Sequence, residues 1–372
     1  MYEQALCTEL EKNNQINIEY VNIYQTQYWP NDKLLNRSKG NEKYKMLGFI
    51  NLPFVREFSY FISALLRLIK WNKRIDMKKD KIILSSTHFT PVSAAVVIYS
   101  KIAKIKRVVT FTDLSLFTFQ ENRIRGMKWY KKIVIKPYVK LTNYLQTNYD
   151  GYILFSKPML DVVNAKLKPC IILEGIYNEI NVELNSEHSK KNAIAHAGTL
   201  SQLVGINNIL DTFSEIKLET KLWLMGSGDM NEEITLKSKM DSRIEFLGFI
   251  PKKEVFKRLQ EARVLLILRN INDEYTKYSF PSKLFEYMVS GTPVITTRLK
   301  GIPDEYYPYL YLLDTMDAHE CAKTISEILK KSDEELFKFG NEAKNFILKN
   351  KNAKKQSERV VKLLYRCLDD NK

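Results

Sequence analysis

Only four cysteines, Cys7, Cys170, Cys321 and Cys367, occur in the 372 residues. None shares a CxxC or other paired spacing, which argues against a disulfide framework and reads as reduced thiols in a cytosolic protein. The four histidines, His88, His188, His196 and His319, also lack ligand spacing, so no metal site is expected. Asp-x-Asp is missing, which speaks against a diphosphate held through a metal ion. No run of eighteen uncharged apolar residues exists, and the longest candidate, residues 54–71, carries Arg56, Glu57, Arg67 and Lys70, so no membrane span is expected. Residues 1–11 contain no basic-then-apolar run of the secretory kind. There is no internal repeat and no low-complexity tract.

What is present is a globular composition, 45% hydrophobic and 12% aromatic, long enough for two domains with separate cores. The net charge of +15 is unevenly spread. Residues 1–190 hold 29 Lys/Arg against 17 Asp/Glu, whereas residues 191–372 hold 29 against 26. A basic N-terminal half fits an anionic membrane, an acidic substrate or nucleic acid, or a merely solvated surface. No nucleic-acid module is recognisable, and none is expected as a partner.

Apolar runs at 193–197, 221–225, 243–247, 264–268, 294–297 and 310–313 read as strands. Helical segments at 206–216, 252–259 and 281–289 lie between them. The N-terminal half repeats the rhythm at 16–23, 81–85, 107–112, 151–155 and 170–174. Such alternation predicts an α/β fold with two Rossmann-like domains, parallel sheets facing across a cleft. The expected domains are 1–185, 186–345 and a C-terminal helix over 346–372 that packs back across the linker. Residues 178–192 form the best linker.

The stretch Tyr278–Thr297, YSFPSKLFEYMVSGTPVITT, is the most informative. Ser279 can cap a short helix, Pro281 suits its first turn, and Gly291 with Pro293 ends it. The helix start offers free N–H groups to a diphosphate, and Lys283 adds a full charge. Glu286, one turn on and on the face of Ser282, suits ribose hydroxyls; the plain alternative is a surface helix with a Lys–Glu pair. Gly226-Ser-Gly-Asp229 and Gly198–Gly205 follow strands, where glycine lets a ligand approach the backbone. Phe246-Leu-Gly-Phe-Ile-Pro251 puts Phe249 and Ile250 where a flat base can lie. Arg269 ends a strand and is either a phosphate ligand or an ordinary surface arginine.

Together these motifs, with Gly301-Ile-Pro-Asp304, resemble the donor domain of family 4 glycosyltransferases of GT-B architecture over about residues 193–345. The resemblance implies a nucleoside-diphosphate sugar as co-substrate, no separate cofactor, and transfer to an acceptor hydroxyl with retention. It further implies a role in bacterial surface polysaccharide synthesis. Donor residues would be Gly198, Thr199, Gly226, Ser227, Gly228, Phe249, Ile250, Phe280, Ser282, Lys283 and Glu286, with Lys283 and Arg269 stabilising the leaving diphosphate. The N-terminal half resembles the family more loosely. His88, Thr112 and Asp113 are acceptor-side candidates, and Asp113 can orient or deprotonate the acceptor, or merely cap a turn. The sequence departs from the family at Thr199 and Val204, where many members carry Arg and Lys. It departs also at Tyr278, where the first of two paired glutamates is usual, and at Thr112, where histidine is frequent.

Those departures keep open a non-catalytic nucleotide-binding partner, and a sugar-nucleotide epimerase of the same architecture. Phe58, Phe61, Ile62, Leu65, Leu66 and Ile69 trace one helical stripe beside Arg56, Arg67 and Lys70. With the basic stretch 123–140, this predicts peripheral attachment to the inner face of the plasma membrane and a glycan or lipid-linked acceptor; a core-facing helix is the rival. The first periodic segment is a helix at Tyr2, Ala5, Leu6, Glu9 and Leu10, so the opening strand of the N-terminal domain is expected to be lacking. A shortened domain with a rearranged sheet is the alternative.

Overall fold

The computed structural model describes residues 2–13, 16–24, 26–41, 43–53, 55–85, 90–112, 129–177 and 190–369. The chain divides into two compact units, residues 1–155, 159–174 and 353–372 in the first and 156–158 and 175–352 in the second. The second unit thus runs past the expected boundary at 345.

Unit 1 opens with α1 (Tyr2–Glu11), then β1 (Tyr20–Asn22), β2 (Leu35–Asn36), β3 (Lys39–Gly40), β4 (Tyr44–Met46) and β5 (Phe49–Ile50). These strands are two or three residues long with no clear alternation, which is why residues 35–50 gave no strand signal. Next come α2 (Val55–Arg74), β6 (Ile82–Ser85), α3 (Thr90–Ala103), β7 (Lys106–Phe111), α4 (Trp129–Gln146), β8 (Gly151–Leu154), α5 (Met159–Val162) and β9 (Cys170–Ile172). Strands β6 to β9 form a parallel sheet in sequence order. Strand β1 pairs in parallel with β4, in a separate sheet. Val108, Val109, Tyr152, Ile153 and Leu154 of β7 and β8 are fully buried, whereas Ile82, Ile83 and Leu84 of β6 are half-buried.

The α2 stripe is divided. Phe61 and Leu65 pack against a core of Leu47, Phe49, Tyr60, Ala64 and Ala95, while Phe58 and Leu66 are exposed. Arg67 and Arg74 both bind Glu19, while Lys70 and Lys73 of α2 are exposed.

Unit 2 holds β10 (Lys191–Thr199), α6 (Ile206–Glu215), β11 (Lys221–Ser227), α7 (Asn231–Met240), β12 (Ile244–Gly248), α8 (Lys252–Glu261), β13 (Ala262–Ile267), α9 (Lys283–Val289), β14 (Val294–Thr297), β15 (Tyr311–Leu313), α10 (Ala318–Leu329) and α11 (Asp333–Asn350). Every strand read from the apolar runs is present. Strand β10 also takes in Lys191 and Asn192 of the expected linker, because Lys191 pairs with Ala262; residues 178–189 lie outside the described residues. The sheet order is β12-β11-β10-β13-β14-β15, all parallel, with a core on each face. This is the doubly wound order, in which the crevice at the reversal, here between β10 and β13, binds ligands at the carboxyl ends.

In unit 2, β10 joins the pair β11–β12 to the set β13–β15. In unit 1 the sheet β1-β4-β3, the pair β2-β5 and the sheet β6-β7-β8-β9 are separate, with no strand joining them among the described residues. The last element, α12 (Ala353–Asp369), belongs to unit 1 and packs on β7, β8 and β9 and against α1. Among the described residues no helix is long and apolar enough to cross a membrane.

Candidate functional site

The carboxyl ends of β10, β11, β12 and β13 bring the donor-side candidates to one edge of the unit 2 sheet. Gly198 and Gly226 lie opposite each other in register. A Cβ on Gly226, whose φ is +134°, would fall 1.8 Å from the Gly198 carbonyl oxygen, and one on Gly228 would fall 2.0 Å from that of Leu200. Only glycine lets these turns close, and they leave Thr199, Ser227 and Gly228 exposed at the rim.

Helix α9 starts at Lys283, later than the sequence implied. Pro281 lies in the turn before it, its carbonyl accepting from the Leu284 N–H at 2.8 Å. Ser279 does not cap this helix: its hydroxyl faces Arg269 Nη1 at 3.3 Å. Only seven residues long, α9 has a small dipole, so the positive field at its start comes chiefly from side chains. The Lys283 stem lies across Gly198, whose missing side chain makes the room; a Cβ there would stand 3.3 Å from Lys283 Cε. Lys283 Nζ is 3.0 Å from Glu286 Oε2, and Lys252 Nζ is 3.8 Å from Oε1. Lys252 was missed because its place beside Glu286 depends on the packing of α8 near α9.

Arg269 lies two residues beyond β13, half-buried, and burial lowers its pKa, although guanidinium stays charged. It has no carboxylate partner among the described residues. Its carbonyl oxygen accepts from Thr297 Oγ1 at 2.7 Å, and Asn208 Nδ2 donates to the preceding Leu268 carbonyl at 2.9 Å. Arg269, Lys283 and Lys252 against Glu286 leave two positive charges in excess, a balance suited to a diphosphate.

Phe249 is 87% exposed, held out after Gly248, and Ile250 packs partly on the core. Phe280 departs from its expected role. It is only 7% exposed, among Phe285 and Tyr306, so its ring belongs to the core. Ser282 is exposed beside Lys283. Val204, where a lysine is frequent in the resembling family, packs on the core of this face. On the acceptor side, Thr112 is exposed just past β7, while His88 and Asp113 lie outside the described residues.

Two buried residues escaped the sequence reading, because nothing in their spacing sets them apart. Tyr287 accepts from the Ala197 N–H at 2.6 Å and donates to the Ala197 carbonyl oxygen at 3.0 Å. It thereby satisfies β10 beyond its pairing with β13 at Ala195. His196 Nδ1 donates to the Leu266 carbonyl oxygen at 2.9 Å.

Burial, helped by the charges of Arg269 and Lys283, lowers the His196 pKa to about 4. The unfolded ring takes up its proton near 6.5, so this contribution is intact above pH 6.5 and lost as pH falls towards 4. Denaturant titrations should show stability falling by up to about 1.4 kcal/mol per pH unit across that window. His196→Asn should flatten the slope; an unchanged slope would refute the assignment.

Residues 191–331 match the family model described as glycosyl transferases group 1. N-acetyl-alpha-D-glucosaminyl L-malate synthase of Bacillus anthracis is 24% identical over 237 residues, 58% of this chain and 60% of that protein. The match thus spans about 60% of the relative's length. HepE of Anabaena, solved in complex with UDP, is similar with a TM-score of 0.62 at 15% identity, over 87% of this chain and 86% of that one. OtsA in its apo form has a TM-score of 0.63 at 11% identity, over 98% and 96%. These likenesses show the fold, the α/β GT-B architecture, and the family match supports a glycosyltransferase.

Proposed function

We propose that the chain moves a sugar from a nucleoside-diphosphate sugar to an acceptor hydroxyl, with unit 2 holding the donor. The observation that carries the reading is Arg269, half-buried at the β10/β13 reversal without a carboxylate partner among the described residues, its charge acting with that of Lys283 on the same buried His196. The two cations hold the diphosphate and stabilise its departure, Glu286 takes ribose hydroxyls, and Phe249 offers its face to the base. Uridine is the first base to try, since HepE was solved with UDP. The reading includes the family 4 assignment, retention at the anomeric carbon, chemistry without a metal, and a glycan or lipid-linked acceptor in surface polysaccharide synthesis.

A non-catalytic nucleotide binder is the second reading. Val204 favours it, because an apolar residue packs where many family members offer a cation.

A melting screen with UDP, its sugars and other nucleoside-diphosphate sugars tests both. A cognate ligand at a hundredfold its Kd adds about 2.7 kcal/mol, or roughly 5–11 °C. A shift with release of nucleoside diphosphate supports the transferase, and a shift without turnover supports the binder. No shift with any nucleotide overturns both.

A further inference from the structure

The outward face of α4 in unit 1 leaves a row of apolar and basic side chains uncovered. Ile133, Lys136, Pro137, Lys140, Leu141 and Tyr144 are all exposed, and their spacing of three, one, three, one and three puts them on one side. Ile133 is 61% exposed. Neither Lys136 nor Lys140 has an ion-pair partner among the described residues.

The neighbouring α3 packs against α4 and extends this surface. Its Lys101 lies over the Tyr144 ring, 5.6 Å from the centroid, and bonds Asn148 Oδ1 at 2.8 Å. Ile98 and Ile102 are exposed on the same helix, Ile102 at 75%. Helices α3 and α4 together contain no aspartate or glutamate. The sequence stripe on α2 is weaker, because Arg67 and Arg74 are bound to Glu19 and part of its apolar side is in the core.

We propose that the α4 face, with Lys101, Ile98 and Ile102 of α3, docks on an anionic lipid bilayer. Apolar side chains between lysines, with no carboxylate among them, suit the boundary of headgroups and acyl chains. A second copy of the chain is a poor occupant, since two such faces would oppose lysine to lysine. Nucleic acid would satisfy the lysines but leave Ile133, Leu141 and Ile102 in water. The inference stands apart from the donor reading, and its test needs no turnover.

The test is co-sedimentation of the full chain with vesicles of phosphatidylglycerol and phosphatidylcholine, and with phosphatidylcholine alone. Binding is expected to the anionic vesicles only and to weaken as salt rises. Lys136→Glu with Lys140→Glu should weaken it roughly 30-fold or more, and Leu141→Ser with Ile133→Ser should also reduce it. Lys70→Glu on α2 should change it by less than about twofold. Should the charge reversal fail to fold, judged by its melting curve, Lys136→Gln with Lys140→Gln takes its place with a smaller expected loss. Equal binding to neutral vesicles, no binding to either, or full binding by the α4 variants overturns the proposal, as does binding to nucleic acid but not to vesicles.

Discussion

Lys283→Ala should lower kcat/KM for the donor by roughly ten- to a hundredfold while leaving the melting temperature nearly unchanged. The side chain is only part-buried, and its stem rests on Gly198, a position with no side chain to lose contact with. Its exposed pairing with Glu286 adds little stability. Against a bound diphosphate, with solvent displaced, the same ammonium makes a charge-assisted contact of about 1.5–3 kcal/mol. That sum sets the expected rate loss. Lys252→Ala should cost less, since its ammonium stands farther from Glu286, at 3.8 Å. Initial rates over a range of donor concentrations check both. Full turnover by a folded Lys283→Ala protein would remove this residue from the site.

Gly226→Ala should be the most destabilising conservative change in unit 2, by about 4 kcal/mol or more, roughly 8–16 °C in melting temperature. Two causes combine there. The φ of +134° disfavours any side chain, and the new methyl would sit 1.8 Å from the Gly198 carbonyl oxygen, forcing β10 and β11 apart. Gly248→Ala separates the causes. Its φ is also positive, +62°, but a Cβ there meets nothing within 4 Å. It should cost only about 1–2 kcal/mol. Equal losses for the two variants would show that steric overlap at Gly226 is relieved cheaply.

The unit 2 sheet was legible because each strand is a continuous apolar run ending at a glycine or polar residue, a pattern of strands buried on both faces. Lys283, Glu286 and Arg269 were legible by position, each just after a strand or at the start of a helix. Ser279 misled, since a capping residue is recognised by composition whereas its hydroxyl is claimed by an arginine ten residues away in sequence. Phe280 misled likewise, because an aromatic beside a loop looks the same in sequence whether it faces ligand or core. Tyr287, His196 and Lys252 act through partners 34 to 90 residues away, which no local period reports. In unit 1, β2 and β5 each contribute two residues, too few for periodicity.

The seventeen residues of α12 cover β7, β8 and β9 of unit 1, and Gly151 lies so near Cys367 that a Cβ would come within 2.4 Å of its sulfur. The unit synthesised first therefore lacks one wall of its interior until the end of the chain has been made. Unit 2, residues 175–352 with only 156–158 from earlier in the chain, contains its own sheet and both of its covering layers before that. During translation the order of maturation is thus reversed relative to the order of synthesis. The half-built first unit must wait with its apolar sheet face uncovered, which makes a chaperone at the ribosome more useful to this chain than to one whose domains close in sequence.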